Sequence, residues 1–270
     1  MKRIVIYDSG VGGLSILAAV KEQVPQADYI FLSDNAGFPY GTKPESELLD
    51  RVMAVSRAVI DHFDPDLVIV ACNTASTLAL STLRDNFSTP FVGVVPAIKP
   101  AALISQTKSI AVMATPATVS RQYTQDLIDQ YAKDCSVSLV AAPELVELAE
   151  TKLRGESVDL SVLANSLKPI IDNQQIDVLV LACTHFPLLR SEITHCLTQA
   201  NRSVAIIDSG EAIARRAAHV LATSGYQSTN QQIKGQAEHI ALFTKRPQLS
   251  DVFLAYLEKL DFAQIQELSV

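Results

Sequence analysis

Two cysteines far apart in the chain stand in matching surroundings. Cys72 ends the run Asp66-Leu-Val-Ile-Val-Ala-Cys72 and is followed by Asn73 and Thr74; Cys183 ends Asp177-Val-Leu-Val-Leu-Ala-Cys183 and is followed by Thr184 and His185. Each run reads as a buried strand leading into a helix, and helix N–H groups beside a thiol favour its thiolate. Two such thiols opposed across one cleft could invert a carbon centre. One takes a proton as thiolate, and the other delivers a proton to the opposite face. Cys135 and Cys196 lack this setting. Cys196 falls mid-helix in Ser191-Glu-Ile-Thr-His-Cys196, and both read as inert, buried thiols.

In parallel α/β sheets, ligands bind beyond the carboxyl ends of the strands. The residues just after each apolar run therefore extend the candidate site. They are Asp8 and Ser9 with Gly10, Gly12 and Gly13, then Asp34 and Asn35 leading to Pro39, Tyr40 and Gly41. Thr115 and Thr118 follow, and then Asp208-Ser-Gly210. The glycine loop is not a dinucleotide fingerprint, because Ser15 stands where the third glycine belongs, and no Walker lysine follows. It reads as backbone N–H groups and a helix N-terminus brought near an anionic group, or as an ordinary tight turn. Asp8, Cys72, Cys183 and His185 could instead bind a metal, but no pair has the short spacing of zinc ligands. A Cys183/His185 hydrolase is a further alternative, although such dyads usually converge from separate segments. No metal and no cofactor is expected, and no pyridoxal lysine motif is evident. His62, His195, His219 and His239 lie within helix or strand patterns and read as surface or satisfied residues.

The elements that must position these residues are legible from hydrophobic pattern. Mostly continuous apolar runs predict strands at 3–7, 28–33, 67–71, 91–94, 109–114, 137–141, 177–182, 203–207 and 239–243. Helical spacing predicts helices at about 13–24, 46–63, 74–86, 117–133, 158–173, 187–200 and 210–223, as in Leu48, Val52, Val55, Val59 and Phe63. Strand–helix alternation means α/β with a mostly parallel sheet. The Cys72 and Cys183 segments echo each other, and Ile4-Val-Ile-Tyr-Asp8 echoes Ile110-Ala-Val-Met-Ala114 in the same order. Two ordered echoes predict two copies of one α/β unit, with Pro96 to Pro100 as the crossover. The length of 270 residues suits one large domain or two small ones. A net charge of −7 with no Lys/Arg block argues against a nucleic-acid surface. No apolar stretch is long enough to span a membrane, and the short N-terminal run does not read as a signal peptide. A cytoplasmic location with reduced thiols is therefore expected.

At these residues the sequence resembles the glutamate racemases. The resemblance runs through Asp8-Ser-Gly-Val-Gly-Gly-Leu-Ser15, Pro39-Tyr-Gly41, Cys72-Asn-Thr-Ala-Ser76, Gly93-Val-Val-Pro96, Thr115-Pro-Ala-Thr-Val119, Cys183-Thr-His-Phe-Pro-Leu188 and Asp208-Ser-Gly210. It implies two pseudo-symmetric α/β domains, 1–96 plus 208–270 and 97–207, with the active site in the cleft between them. It also implies cofactor-independent interconversion of L- and D-glutamate, supplying D-glutamate for peptidoglycan. Cys72 and Cys183 are then the acid/bases, and Asp8 and His185 tune them. Asp8, Ser9, Pro39, Tyr40, Gly41, Asn73, Thr74, Thr118, Thr184 and His185 are the implied substrate contacts, with Glu150 and Thr115 behind them. Glu147 stands where the family usually has proline. A homodimer is the expected assembly. The chain begins at its first strand, so activation through an N-terminal extension is not expected. Two alternatives remain open at this point: racemisation of aspartate, and a non-catalytic two-domain protein binding a small anion.

Overall fold

The computed structural model describes residues 2–225 and 239–270; Met1 and 226–238, which fall in the first expected domain, lie outside them. The chain opens with β1 (Lys2–Asp8), α1 (Gly13–Gln23), β2 (Ala27–Ser33), α2 (Glu45–Phe63), β3 (Leu67–Val70), α3 (Asn73–Asn86) and β4 (Phe91–Gly93). It continues through α4 (Ile98–Ile104), β5 (Ser109–Ala114), α5 (Pro116–Val119), α6 (Gln122–Tyr131), β6 (Ser136–Ala141), α7 (Glu144–Leu153), α8 (Leu160–Asp172) and β7 (Val178–Leu181). The last elements are α9 (Arg190–Gln199), β8 (Ala205–Ile207), α10 (Gly210–Thr223), β9 (Ile240–Phe243), α11 (Asp251–Lys259) and β10 (Gln264–Glu267).

The described strands form two sheets with every pairing parallel, which meets the expected fold class. The first runs β10-β9-β2-β1-β3-β4 and the second β6-β5-β7-β8. The order β2-β1-β3-β4 therefore repeats as β6-β5-β7-β8. The echoes in the sequence fall on equivalent strands, β1 with β5 and β3 with β7. Each sheet is covered on both faces, so its central strands are apolar throughout rather than alternating. The stripe Leu48, Val52, Val55, Val59 and Phe63 of α2 is buried, as its spacing predicts. Burying each such side chain is worth about 1.5–3 kcal/mol over leaving it in water. After β8 the chain rejoins the first sheet's layers, where α10 packs on α1. Ser209 Oγ donates to the carbonyl of Val95 at 2.6 Å, tying that return to the outgoing crossover.

The single helix expected over 117–133 is two. Arg121 is extended, with ψ 140°, and the Thr118 carbonyl accepts from the Thr124 hydroxyl at 2.6 Å instead of continuing a ladder. The helix expected at 187–200 begins as a one-turn 3-10 helix, Phe186–Leu189, which contains Pro187. Four elements carry no advance prediction: α4, α7, α11 and β10. In α7 only Leu145, Ala149 and Leu153 are buried, a stripe too thin to stand out from its charged neighbours. The Gln-Ile-Gln-Glu of β10 lies on the sheet edge and is mostly exposed.

Candidate active site

The loops that follow β1, β3, β5 and β7 converge on a cavity of about 110 Å³. Its walls include Asp8, Ser9, Pro39, Tyr40, Gly41, Cys72, Asn73, Thr74, Thr115, Cys183, Thr184 and His185. Thr118 and Glu150 are not on the wall. Thr118 is fully buried behind it, in a cluster where its hydroxyl is 3.2 Å from that of Thr115 and 3.4 Å from that of Thr74. Thr118 thus backs two threonines that do face the cavity. Phe38, Pro143, Val146 and Glu147 also line the cavity. The last three belong to α7 and its entry, and without a predicted helix there they had no signal. Glu147 stood out only as a departure from a family pattern.

Cys72 and Cys183 both line this one cavity, each 7% exposed. Their surroundings differ. Cys72 is the N-cap of α3, and the backbone N–H of Ala75 favours its thiolate. Burial nevertheless pushes the thiol well above its ordinary value, and the neighbouring Asp8 carboxylate pushes the same way. Desolvation of the charge outweighs the helix start at Cys72 and favours the thiol over the thiolate. Cys183 has no α-helix start to lean on, because Phe186 N–H closes a tight turn on its carbonyl at 3.0 Å. Its neighbour is His185, with Nδ1 4.0 Å from Sγ.

Asp8 is completely buried. It accepts from Ser9 N–H at 2.6 Å and from the Thr184 hydroxyl at 2.6 Å, the latter a bond between the two sheets' loops. Burial raises its carboxyl; His185, Thr184, Ser9 and Cys72 oppose that. His185 Nε2 lies 2.9 Å from Glu150 Oε1. Burial disfavours the imidazolium, but Cys183 and Glu150 more than compensate, so His185 is held well above its usual value. Glu150, despite the opposing effect of burial, is held below the usual carboxylate range by His185 and Val11 N–H.

The glycine loop after β1 does meet an anion, and the anion is the protein's own. Val11 N–H donates to Glu150 Oε1 at 2.9 Å. A Cβ on Gly12 would lie 2.5 Å from His185 Nδ1, 2.7 Å from Thr184 Oγ1 and 2.8 Å from Asp8 Oδ2. Glycine is required here for the approach of the two loops. On the other wall, Tyr40 donates to fully buried Asp34 at 2.5 Å. Arg51 Nε and the Thr244 hydroxyl donate to the same carboxylate at 2.8 and 2.6 Å, fixing the Tyr40 ring. Among the described residues no group of three or more His, Cys, Asp or Glu has the geometry to hold a metal ion. Cys196 is buried in α9 and Cys135 half-buried, both packed in the second sheet's cores and away from the cavity.

A model of the Asp/Glu/Hydantoin racemase family matches residues 14–217. The chain belongs to that family. The racemase is 43% identical over 266 residues to the glutamate racemase of Vibrio parahaemolyticus, covering 98% of this chain and 94% of that one. It is 52% identical over 222 residues to that of Shewanella loihica, with 82% of each covered. Its fold superposes on glutamate racemase of Escherichia coli, solved with L-glutamate and the activator UDP-MurNAc-Ala, with a TM-score of 0.91. That match is 39% identical and covers 100% of this chain and 98% of the other. The Thermus thermophilus enzyme, solved with β-chloro-D-alanine, is 28% identical, with a TM-score of 0.76 and coverage of 100% and 97%. The resemblance read from the motifs is borne out. The racemase is an enzyme of the isomerase class, and the reading as a non-catalytic binding protein is overturned.

Proposed function

We propose that this racemase interconverts L- and D-glutamate by a two-base proton transfer between Cys72 and Cys183. The observation that carries the reading is the placement of both thiols on one small cavity, each with a different titratable neighbour. One thiolate removes the Cα proton while the other thiol gives its proton to the opposite face, so the proton count of the site is unchanged. Following the resemblance, Cys183 deprotonates L-glutamate and Cys72 deprotonates D-glutamate. Asp8 can accept the Cys72 proton and so ready it as base. The His185 imidazolium, oriented by Glu150, can give a proton toward Cys183 when that sulfur must act as acid. Fixed dipoles in a closed cavity must stabilise the carbanionic transition state, since a Cα–H is a far weaker acid than a thiol. Asn73 Nδ2, buried and unpaired, is such a donor, with the Thr74 hydroxyl on the same wall. Asp8 is the natural partner for the substrate ammonium.

The membership of the sheets supports a division at 1–96 plus 208–270 and 97–207, and the cleft between those halves holds the cavity. A role in supplying D-glutamate for peptidoglycan, a cytoplasmic site of action and a homodimer complete the proposal. Among the described residues no helix is long and apolar enough to cross a membrane. The test is circular dichroism of dialysed protein with L- and D-glutamate, then with aspartate. Decay of the signal for both glutamate enantiomers, with none for aspartate, is expected. Turnover of aspartate alone would replace the substrate assignment. Activity lost on dialysis and restored by pyridoxal phosphate or a metal would overturn the mechanism.

A further inference from the structure

Glutamate brings two carboxylates, yet among the described residues no lysine or arginine lines the cavity. Its charged lining is Asp8, Glu147 and His185, and His185 is already paired with Glu150. Nearby cations are committed elsewhere: Arg51 to Asp34, and Arg154 to Glu147 and Glu156. Arg121 is different. It stands at the corner between α5 and α6, three residues after Thr118. Its side chain is only 8% exposed, and its Nε and Nη1 atoms are buried with no hydrogen-bond partner. Among the described residues, its ion-pair contact is Nη2 to Glu45 Oε1 at 3.4 Å, with a carboxylate 69% exposed to water. Glu45 begins α2 just beyond the Tyr40–Thr42 turn, and α5 packs on both that turn and α3. These packings bring Arg121 to the side of the cavity walled by α3, α5 and the Tyr40–Thr42 turn, where Gly41, Thr74 and Thr115 face the space. A buried guanidinium with unspent donors costs stability, unless an anion arrives to use its charge.

We propose that Arg121 selects for a second carboxylate: from behind the Thr74, Thr115 and Thr118 hydroxyls it supplies the positive potential that holds the distal carboxylate of the substrate. It is a positioning residue. The three hydroxyls can each accept as well as donate, so they can turn their protons toward the substrate anion under that field. The proposal rests on glutamate being the substrate.

The test compares Arg121→Gln, Arg121→Lys and Glu45→Gln with the wild type. Calorimetry measures binding of glutarate and of butyrate, which differ in the second carboxylate, and circular dichroism gives KM and kcat for glutamate. In Arg121→Gln, glutarate binding should weaken about tenfold or more while butyrate is unchanged, as expected for losing one charge in a partly buried setting. KM for both glutamate enantiomers should rise by a similar factor with kcat nearly unchanged. Arg121→Lys should keep most of the preference. Glu45→Gln should keep or strengthen it, since it removes the competing carboxylate. Equal losses for glutarate and butyrate in Arg121→Gln would overturn the proposal. So would a Glu45→Gln variant that reproduces them, because Arg121 would then be only an ion-pair strut. If Arg121→Gln does not fold, loss of the glutarate preference in folded Arg121→Lys or Glu45→Gln overturns it equally. Wild type that prefers glutarate through Arg121 but does not racemise glutamate would sink the racemase reading and leave Arg121 standing. An active wild type with an indifferent Arg121→Gln would do the reverse.

Discussion

Adding one methyl group at Gly12 tests whether the site depends on the contact between its two loops. Gly12 has helical backbone angles, φ −55° and ψ −36°, so alanine meets no conformational penalty there. Alanine at such a position should even gain a few tenths of a kcal/mol by restricting the unfolded chain. The obstacle is purely steric. The new Cβ would stand 2.5 Å from His185 Nδ1, and ordinary contact begins near 3.4 Å, so the imidazole or the loop must retreat by about 0.9 Å. Overpacking of this kind costs about 1–3 kcal/mol of stability. A misplacement near 1 Å costs about a hundredfold in rate. Gly12→Ala should therefore fold, melt a few degrees lower, and racemise glutamate about a hundredfold more slowly. Racemisation followed by circular dichroism, beside thermal melts, measures both. Near-normal turnover with a normal melt would refute the close-approach argument. A variant that simply unfolds would place the role of Gly12 in the fold rather than in the chemistry.

The remaining predictions concern the two sides of the cavity. Cys183→Ser should abolish elimination of chloride from a β-chloro analogue of L-glutamate more than of D-glutamate, and Cys72→Ser the reverse; equal losses would refute the assignment of faces. Glu150→Gln should cost about 3 kcal/mol in urea unfolding near pH 6, as for breaking a buried ion pair. His185 is raised in the fold, so its contribution is complete below its ordinary value of 6.5 and fades as pH rises through the higher folded value. Glu150 is lowered, so its contribution holds above its ordinary value of 4.5 and fades as pH falls through the lower one. The deficit of Glu150→Gln should shrink toward both extremes, and a deficit independent of pH would refute the pairing. Asp34→Asn should free the Tyr40 ring, raising KM for glutamate several-fold and lowering the melting temperature; an unchanged KM would make that network scaffold only.

Legibility of the site from sequence followed local pattern. Cys72 and Cys183 could be found because each ends a buried strand, where an apolar run is followed abruptly by polar residues. Asp8, Thr184 and His185 could be found for the same reason. Glu150 was reachable only by resemblance, because α7 shows a three-residue apolar stripe among charges. The upward push on the Cys72 thiol could not be read at all. It depends on burial and on Asp8, which is distant in sequence, and these outweigh the helix start that is visible locally. Arg121 was hidden inside what looked like one helix. It sits where the backbone turns extended at Arg121 and the Thr118 carbonyl takes the Thr124 hydroxyl instead of a helical N–H.

The unlike neighbours of the two thiols meet a constraint that no protein can escape. L- and D-glutamate are mirror images, so in water their equilibrium constant is one. At that equilibrium kcat/KM must be the same in both directions, however different the Cys72–Asp8 and Cys183–His185–Glu150 sides are. The asymmetry of the cavity can therefore appear only as paired changes, a faster turnover in one direction matched by a weaker apparent grip on that enantiomer. A substitution on either side lowers kcat/KM for both enantiomers together. Unequal neighbours allow the racemase to set which enantiomer saturates it first, and so which one it holds back when both are abundant.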